Sequence, residues 1–255
     1  MPFNLKYQII ADYIAPNTKR RPALAVSPAV KFIVAHDTGN PGSTARNNVD
    51  YFKRSANDIF ASAHIFVDDR QIIECIPALT AAPEKAWHVR YDITGDNELY
   101  GFDANDAAIG VEYCHGPNID ATEAYRRYIW TMAYVCYKFG LNPQTAIIGH
   151  FLLDPGRKTD PRSGLAASGR AYEQLLIDVK DEYNNCLNNN MKMPLIRIAS
   201  GPKVYAIGVD GKRYWIFNEE TFNVGRAMGL WGAWNEVQTV PSDSHPDGHA
   251  ILLVK

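Results

Sequence analysis

The chain has 255 residues, of which 46% are hydrophobic and 21% are charged, and these proportions are ordinary for a folded soluble protein. Its formal net charge of −2 gives no general reason to expect nucleic acid as a partner. No run of roughly 18 apolar residues is present, so we expect no membrane span. The length allows one large domain or two smaller ones, and we expect a monomer.

The four cysteines are scattered along the chain and form no CxxC pair. This spacing favours a reduced compartment during synthesis over a disulfide framework. Three of them, Cys75, Cys114 and Cys136, lie within apolar periodic segments, and we expect them to be core residues.

Short runs rich in Val, Ile and Phe predict strands at residues 31–36, 63–68, 71–76 and 107–114. The second and third runs flank a polar Asp-Asp-Arg sequence, which predicts a hairpin. The order of strands and helices does not follow a strict βαβ alternation. We therefore predict an α/β fold with a mixed central β-sheet flanked by helices.

Three helices are predicted from apolar periodicity and capping residues. The first begins at Ser43, whose hydroxyl is of the capping type. The second begins at Asp120, which Glu123 follows as in a capping box, and it ends at Gly140. The third begins near Ser168.

The composition changes after Cys186, and this change predicts a domain boundary. Residues 187–194 are polar and end in proline, as expected of a linker between a first domain at 1–186 and a second at 195–255. The second domain contains short β-prone runs, the hairpin signal Asp210-Gly211 and a final apolar run, ILLVK. We predict a small, mainly β C-terminal module that ends in a strand.

The segment GHFLLDPGRKTDP places His150, Lys158 and Asp160 within residues 149–161. A further histidine, His36, ends the apolar run KFIVAH. Two histidines and one carboxylate can hold zinc while its fourth position stays open for water. The alternative for a single histidine is a hydrogen-bonded core residue, and only the fold decides whether these side chains meet.

Glu112 lies in the middle of the apolar strand segment AAIGVEYC. An acidic side chain there is costly to bury without a partner or a task, so we weigh a buried ion pair against a general base. Lys158 has two interpretations as well. It is either an exposed loop lysine beside Arg157 or a cation that stabilises the oxyanion of a carbonyl under attack.

Taken together, five segments resemble the zinc-dependent N-acetylmuramoyl-L-alanine amidases of the type-2 class, which share their fold with the peptidoglycan recognition proteins and include many phage endolysins. The segments are collinear and cover roughly residues 5–185. They are IVAHDTGNPGSTA at 33–45, SAHIFVDD at 62–69, AWHV at 86–89, AIGVEYC at 108–114 and GHFLLDPGRKTDP at 149–161.

The resemblance implies a zinc cofactor, hydrolysis of the bond between N-acetylmuramic acid and L-alanine, and roles for seven positions. His36, His150 and Asp160 match the metal ligands, and Glu112 and Lys158 match the catalytic pair. His64 and His88 fall in segments that line the family's substrate groove. For these two histidines, a substrate contact and a purely structural role both remain open.

Seven aromatic residues in the C-terminal module favour a binding role, although a small domain also needs aromatics in its core. Trp231 and Trp234 are our candidates for exposed wall-binding residues. The layout by analogy indicates a secondary cell-wall polymer as the ligand of this module, in addition to peptidoglycan as the substrate.

The N-terminus lacks the basic start and long apolar core of a secretory signal. We therefore expect a phage or prophage endolysin that stays in the host cytoplasm until it is released and then acts on the cell wall. Two alternatives are a recognition protein that binds peptidoglycan without cutting it and a cytoplasmic amidase that recycles wall fragments. The complete ligand set argues against the first, and the added C-terminal module argues against the second.

Overall fold

The computed structural model describes residues 3–188, 192–208 and 210–253. The chain divides into two compact units, of which the larger spans Leu5–Asn184 and the smaller takes the residues on either side of it. Within the described ranges, no helix combines the length and the apolar character that a bilayer crossing requires.

The larger unit is built on a six-stranded sheet with the order β1-β4-β3-β5-β2-β6. Four of its five neighbouring pairs are parallel, and β3 pairs with β4 antiparallel as the predicted hairpin. The strands are β1 (Ile9–Ala11), β2 (Phe32–Asp37), β3 (Ile65–Val67), β4 (Ile72–Glu74), β5 (Ala108–Tyr113) and β6 (Ile147–Gly149). The predicted α/β class, a mixed sheet flanked by helices, is confirmed.

Helices occupy several connections between these strands and the segment that follows β6. They are α1 (Ala45–Arg54), α2 (Gly95–Tyr100), α3 (Ala104–Ala107), α4 (Ala121–Phe139), α5 (His150–Leu153), α6 (Arg162–Ala167) and α7 (Tyr172–Asn188). Because helices cover the sheet, β2 is buried along its whole length, as is usual for parallel strands. This burial explains why β2 and β5 are continuous apolar runs in the sequence and not alternating ones.

Capping residues set the helix ends close to where the sequence predicts them. Asp120 accepts hydrogen bonds from the backbone N–H groups of Thr122 and Glu123, and Gly140 ends α4 in the left-handed conformation with φ 64°. The first helix is capped by Thr44, one residue after the predicted Ser43. The third predicted helix, α7, begins at Tyr172, because α6 and a turn occupy the residues around Ser168.

The register of the parallel strands aligns the segments that carry the predicted site. His36 on β2 lies opposite Glu112 on β5, and Ala35 lies opposite Gly149 on β6. The carboxyl ends of three neighbouring parallel strands therefore meet at one edge of the sheet, where ligand sites form in open α/β sheets.

The smaller unit contains a second sheet with the order β10-β7-β8-β9. Its elements are β7 (Leu195–Ile198), β8 (Val204–Ile207), β9 (Arg213–Trp215), α8 (Glu219–Ala227), a 3-10 turn (Trp234–Glu236) and β10 (Gln238–Val240). Strands β8 and β9 pair antiparallel around Asp210-Gly211, and Gly211 has φ 75°. This confirms the predicted hairpin.

The four-stranded sheet confirms the predicted β character of the C-terminal module, and two details differ from the prediction. A helix that was not predicted, α8, lies between β9 and β10 and buries Thr221, Phe222 and Gly225. The final run does not form a strand among the described residues, since Ile251 makes only an isolated bridge to Ile216. Residues 254–255 of that run, and 189–191 of the predicted linker, lie outside the described residues.

Cys75, Cys114 and Cys136 are buried free thiols, which confirms that these three cysteines are core residues.

Candidate active site

The three predicted metal ligands meet at the carboxyl edge of the larger sheet. His36 stands near the end of β2, and His150 follows β6 directly as the first residue of α5. Asp160 comes from the proline-containing loop that precedes α6. The three residues are buried, with 2%, 2% and 9% of their surface exposed.

Three donor atoms form a compact triangle. Oδ2 of Asp160 lies 2.8 Å from Nδ1 of His36 and 3.1 Å from Nδ1 of His150, and the two nitrogens lie 3.1 Å apart. Tetrahedral zinc with bonds of about 2.0–2.2 Å needs ligand atoms roughly 3.3–3.5 Å apart. The observed separations are about 0.2–0.7 Å shorter than that requirement, so these residues fit a zinc ion after a small outward shift of their side chains.

The protonation of the triangle also suits a cation. Burial lowers the pKa of His150 to about 4, so its imidazole is neutral at pH 7. Burial acts to raise the pKa of Asp160, but hydrogen bonds with His150 and His36 outweigh it and hold that pKa far below its usual range. A neutral imidazole and an ionised carboxylate are the forms in which these side chains bind metal.

The other side of the His36 ring is held by a further histidine. Nε2 of His36 lies 3.1 Å from Nδ1 of His88, and the hydroxyl of Tyr128 donates to the carbonyl oxygen of His36 at 2.9 Å. A partner on the second imidazole nitrogen fixes the tautomer and the orientation of a metal-binding histidine.

The position of His88 depends on two residues that sequence reasoning missed. Oδ1 of Asn105 accepts the backbone N–H groups of His88 and Val89 at 2.8 and 3.0 Å. Gly110 leaves room for the ring, since a Cβ at that position would lie 2.9 Å from Cγ and Nδ1 of His88. The signal for Gly110 was a glycine inside an apolar strand, which often marks a close approach by another group.

Asp37 is another residue that we did not assign, although it directly follows His36. Its Oδ2 accepts from Oγ of Ser163 and from the backbone N–H of Gly164, both at 2.7 Å. Its Oδ1 accepts from the backbone N–H of Gly39 at 2.9 Å. Asp37 therefore ties the end of β2 to the start of α6, immediately after the loop that carries Asp160.

A cleft of about 480 Å³ borders the ligand triangle, and Glu112 and Lys158 line it together with His36 and Asp160. Nζ of Lys158 lies 3.9 Å from Oδ1 of Asp160, and about a third of this side chain is exposed. The triangle is thus open to solvent on the side where both predicted catalytic residues stand.

Glu112 has the environment expected of a general base. Burial raises its pKa to about 7. Its Oε2 is buried, and it has no hydrogen-bond partner among the described residues. Among the described residues, Glu112 also has no salt bridge, since Nζ of the nearby Lys158 pairs with Asp160, and this favours the general base over the buried ion pair that we weighed as an alternative.

His64 does not reach the cleft, and its prediction as a substrate contact is wrong. The residue is fully buried. Its Nδ1 accepts from the backbone N–H of Gly110 at 3.0 Å, and its Nε2 lies 2.8 Å from the carbonyl oxygen of Glu84. Both nitrogens are therefore used in joining neighbouring segments of the larger unit. His88 does line the cleft, although only 8% of its surface is exposed.

The two predicted wall-binding tryptophans have opposite environments. Trp234 is 57% exposed, as predicted. Trp231 is only 1% exposed, packs in the core of the smaller unit and donates from Nε1 to the carbonyl oxygen of Phe222 at 2.9 Å. The prediction of an exposed Trp231 is wrong, because this small core needs a large side chain to fill it.

A family model described as N-acetylmuramoyl-L-alanine amidase (Amidase_2) matches residues 26–163, which is slightly more than half of the chain. The N-acetylmuramoyl-L-alanine amidase BlyA of Bacillus subtilis is 34% identical over 152 residues, which cover 55% of this chain and 39% of BlyA. A probable N-acetylmuramoyl-L-alanine amidase of Bacillus licheniformis is 32% identical and covers 56% of this chain and 40% of that protein. The chain spans about two fifths of these curated relatives.

Two solved structures share the fold. The catalytic domain of XlyA superposes with a TM-score of 0.53 at 24% identity, over 68% of this chain and 99% of that domain. The Staphylococcus aureus hydrolase AmiA, solved with its ligand, superposes with a TM-score of 0.58 at 22% identity, over 71% of this chain and 85% of that one. The ligand triangle, Glu112 and Lys158 all lie within residues 26–163.

Proposed function

Because this chain belongs to the N-acetylmuramoyl-L-alanine amidase family, we propose that it hydrolyses peptidoglycan at the amide bond between the lactyl group of N-acetylmuramic acid and L-alanine. We propose further that it does so as a phage or prophage endolysin, which remains in the host cytoplasm until its release. The observation that carries the proposal is the convergence of His36, His150 and Asp160 in one triangle. Glu112 and Lys158 line the cleft that borders this triangle.

The cofactor in this proposal is zinc, held by Nδ1 of His36, Nδ1 of His150 and a carboxylate oxygen of Asp160. One carboxylate and two imidazoles would leave the fourth position of a tetrahedral ion open for water. The cleft lined by Glu112 and Lys158 would give substrate access to such an ion. A zinc ion bound there would acidify a water molecule and polarise the scissile carbonyl.

The protein's own residues supply the proton transfers. Glu112, with a pKa near 7, takes the proton of the attacking water and returns it to the departing amine. The ammonium group of Lys158 stands at the same cleft and stabilises the negative charge that develops on the carbonyl oxygen. The water's oxygen bonds to the carbonyl carbon of the lactyl group, and the amide carbon–nitrogen bond breaks. L-alanine then leaves with a free amino group.

We propose that the smaller unit attaches the protein to the cell wall. Its exposed aromatic side chains, among them Phe217 and Trp234, support a binding role. The alternative of a non-catalytic recognition protein is less consistent with the site, since all three ligands and both catalytic residues are present together.

Digestion of purified bacterial walls tests the reaction and the cofactor together. We expect new L-alanine amino termini, their loss after treatment with a chelator, and their return after zinc is added. New reducing sugar ends would show a glycosidase instead, and activity that survives exhaustive chelation would remove zinc from the mechanism.

A further inference from the structure

The smaller unit has a groove of about 600 Å³ with an aromatic wall. Phe217, 52% exposed, and Trp234, 57% exposed, both line it together with the half-buried Trp215. Large aromatic rings are rarely left open to water on a small unit, and a cluster of them marks a binding surface. This groove is remote in sequence from residues 26–163 and uses none of the catalytic residues.

The groove is also lined by polar side chains. Glu219, Asn223 and Arg226 line it from α8, at spacings of four and three residues. Residues at those spacings lie along one stripe of a helix. A carboxylate, an amide and a guanidinium group are therefore aligned on α8, and the buried Phe222 of the same helix also lines the groove.

The rings are held in place before any ligand arrives. Nζ of Lys203 lies 4.1 Å from the centroid of the Trp215 ring, and the Trp215 and Phe217 centroids lie 5.2 Å apart. The ring of Trp234 packs edge-to-face on buried Phe222 at 5.0 Å. Binding to rings that are already ordered loses little conformational entropy.

We propose that this groove binds the glycan strand of peptidoglycan, with sugar rings stacked on Phe217 and Trp234 and hydroxyl or acetamido groups bonded to the α8 stripe. A pyranose ring has apolar C–H faces and a polar rim, and the groove has an aromatic wall beside a polar row. The proposal rests on the proposed function, because it names the polymer on which the larger unit would act.

Charge decides between this strand and the secondary polymer that the sequence suggested. Between residues 192 and 253, the chain has six lysines and arginines and six aspartates and glutamates. A net positive charge would favour binding of a polyanionic polymer, but the charges of this unit balance. A protein partner is disfavoured as well, because charged side chains are depleted at the centres of protein interfaces. Glu219 and Arg226 both line this groove.

Cosedimentation tests the proposal, with the full chain in a Glu112→Gln background so that the wall is not digested. The probes are peptidoglycan stripped of secondary polymers by acid, untreated walls, and a soluble tetramer of N-acetylglucosamine. We expect binding to stripped peptidoglycan, and a drop in affinity of about tenfold for Trp234→Ala and for Phe217→Ala. The tetramer should compete and should alter tryptophan fluorescence, and Trp234→Ala should abolish most of that change.

Met228→Ala is the matched control, because Met228 is 63% exposed on the same unit and does not line the groove. Thermal unfolding of each variant shows whether the fold is kept. Unchanged affinity in both aromatic variants overturns the proposal, and so does binding that occurs only on untreated walls. Because these assays need no hydrolysis, a chain that releases no L-alanine termini would refute the proposed reaction and leave this result standing.

Discussion

Nε2 of His36 lies 3.1 Å from Nδ1 of His88, on the side of the ring away from the nitrogen that meets Asp160. Burial lowers the pKa of His88 well below its usual value, so the ring is neutral and its Nδ1 can accept the proton of His36 Nε2. That contact leaves Nδ1 of His36 free of a proton for a metal ion. His88 is thus a positioning residue for His36.

Replacing His88 with phenylalanine tests this role. The variant keeps a flat ring in the space beside Gly110 but removes the acceptor for His36 Nε2. We expect zinc affinity to fall by about 10–100-fold, as for other lost partners of metal-binding histidines. Competition with a chromophoric chelator measures the affinity. An unchanged affinity in a variant that unfolds at the wild-type temperature would show that His88 does not act on the ligand.

Gly110→Ala is expected to lower the free energy of unfolding by about 1–3 kcal/mol, since the new methyl group would overlap the His88 ring. Gly156→Ala is the matched control, because a Cβ there meets no atom within 4 Å. Urea denaturation of both variants makes the comparison. Equal stabilities would mean that His88 can move aside without cost.

Glu112→Gln should keep the metal and lose turnover by at least about 100-fold, because an amide cannot take the proton of the attacking water. Zinc content and the release of L-alanine amino termini are measured on the same preparation. Full activity in this variant would remove Glu112 from the mechanism. Loss of zinc would instead assign the residue to the metal site.

His64 makes stability depend on pH. Burial lowers its pKa from 6.5 to about 4, so between these values the unfolded chain binds a proton that the folded chain does not. Stability from this residue is therefore present above pH 6.5 and is lost as the pH falls towards 4, by about 3 kcal/mol in all. NMR titration of the imidazole should find a neutral ring at pH 5. A ring already protonated at pH 6 would contradict the burial argument.

Trp231 and Trp234 should respond differently to truncation, although only two residues separate them. Trp231→Ala removes a core side chain and its hydrogen bond to Phe222, and we expect a loss of about 3–5 kcal/mol. Trp234→Ala removes an exposed ring and should cost less than about 1 kcal/mol. Chemical denaturation followed by circular dichroism compares them. Similar losses would show that Trp234 is also a core residue.

The helix boundaries and the apolar strands were predictable because their causes are local. Asp120 and Gly140 cap α4 through contacts within a few residues, and β2 and β5 carry their burial in their composition. Helix α8 was not predicted because its cap, Asn218, ends the β-prone run KRYWIFN, which is typical of a strand.

The histidines show where local information ends. His64 follows Ala63 in one short motif, and His88 follows Trp87 in another. Neither motif indicates which of the two histidines reaches the cleft. The pairing of β3 with β5 encloses His64 beside Gly110. The hydrogen bonds that Asn105 accepts from the backbone of His88 and Val89 position His88 beside His36. Both outcomes depend on contacts between segments that are far apart in sequence.

Taken alone, the sequence determined the element types, the family and the residue types that a zinc amidase site needs, because caps, apolar periodicity and collinear motifs are properties of neighbouring residues. The tertiary structure alone decided that His36, His150 and Asp160 meet within 3.1 Å, that His64 is enclosed, and that Trp231 is core while Trp234 is exposed. The reason is that such distances follow from strand register and from side-chain packing between remote segments, and these arise only when the chain folds.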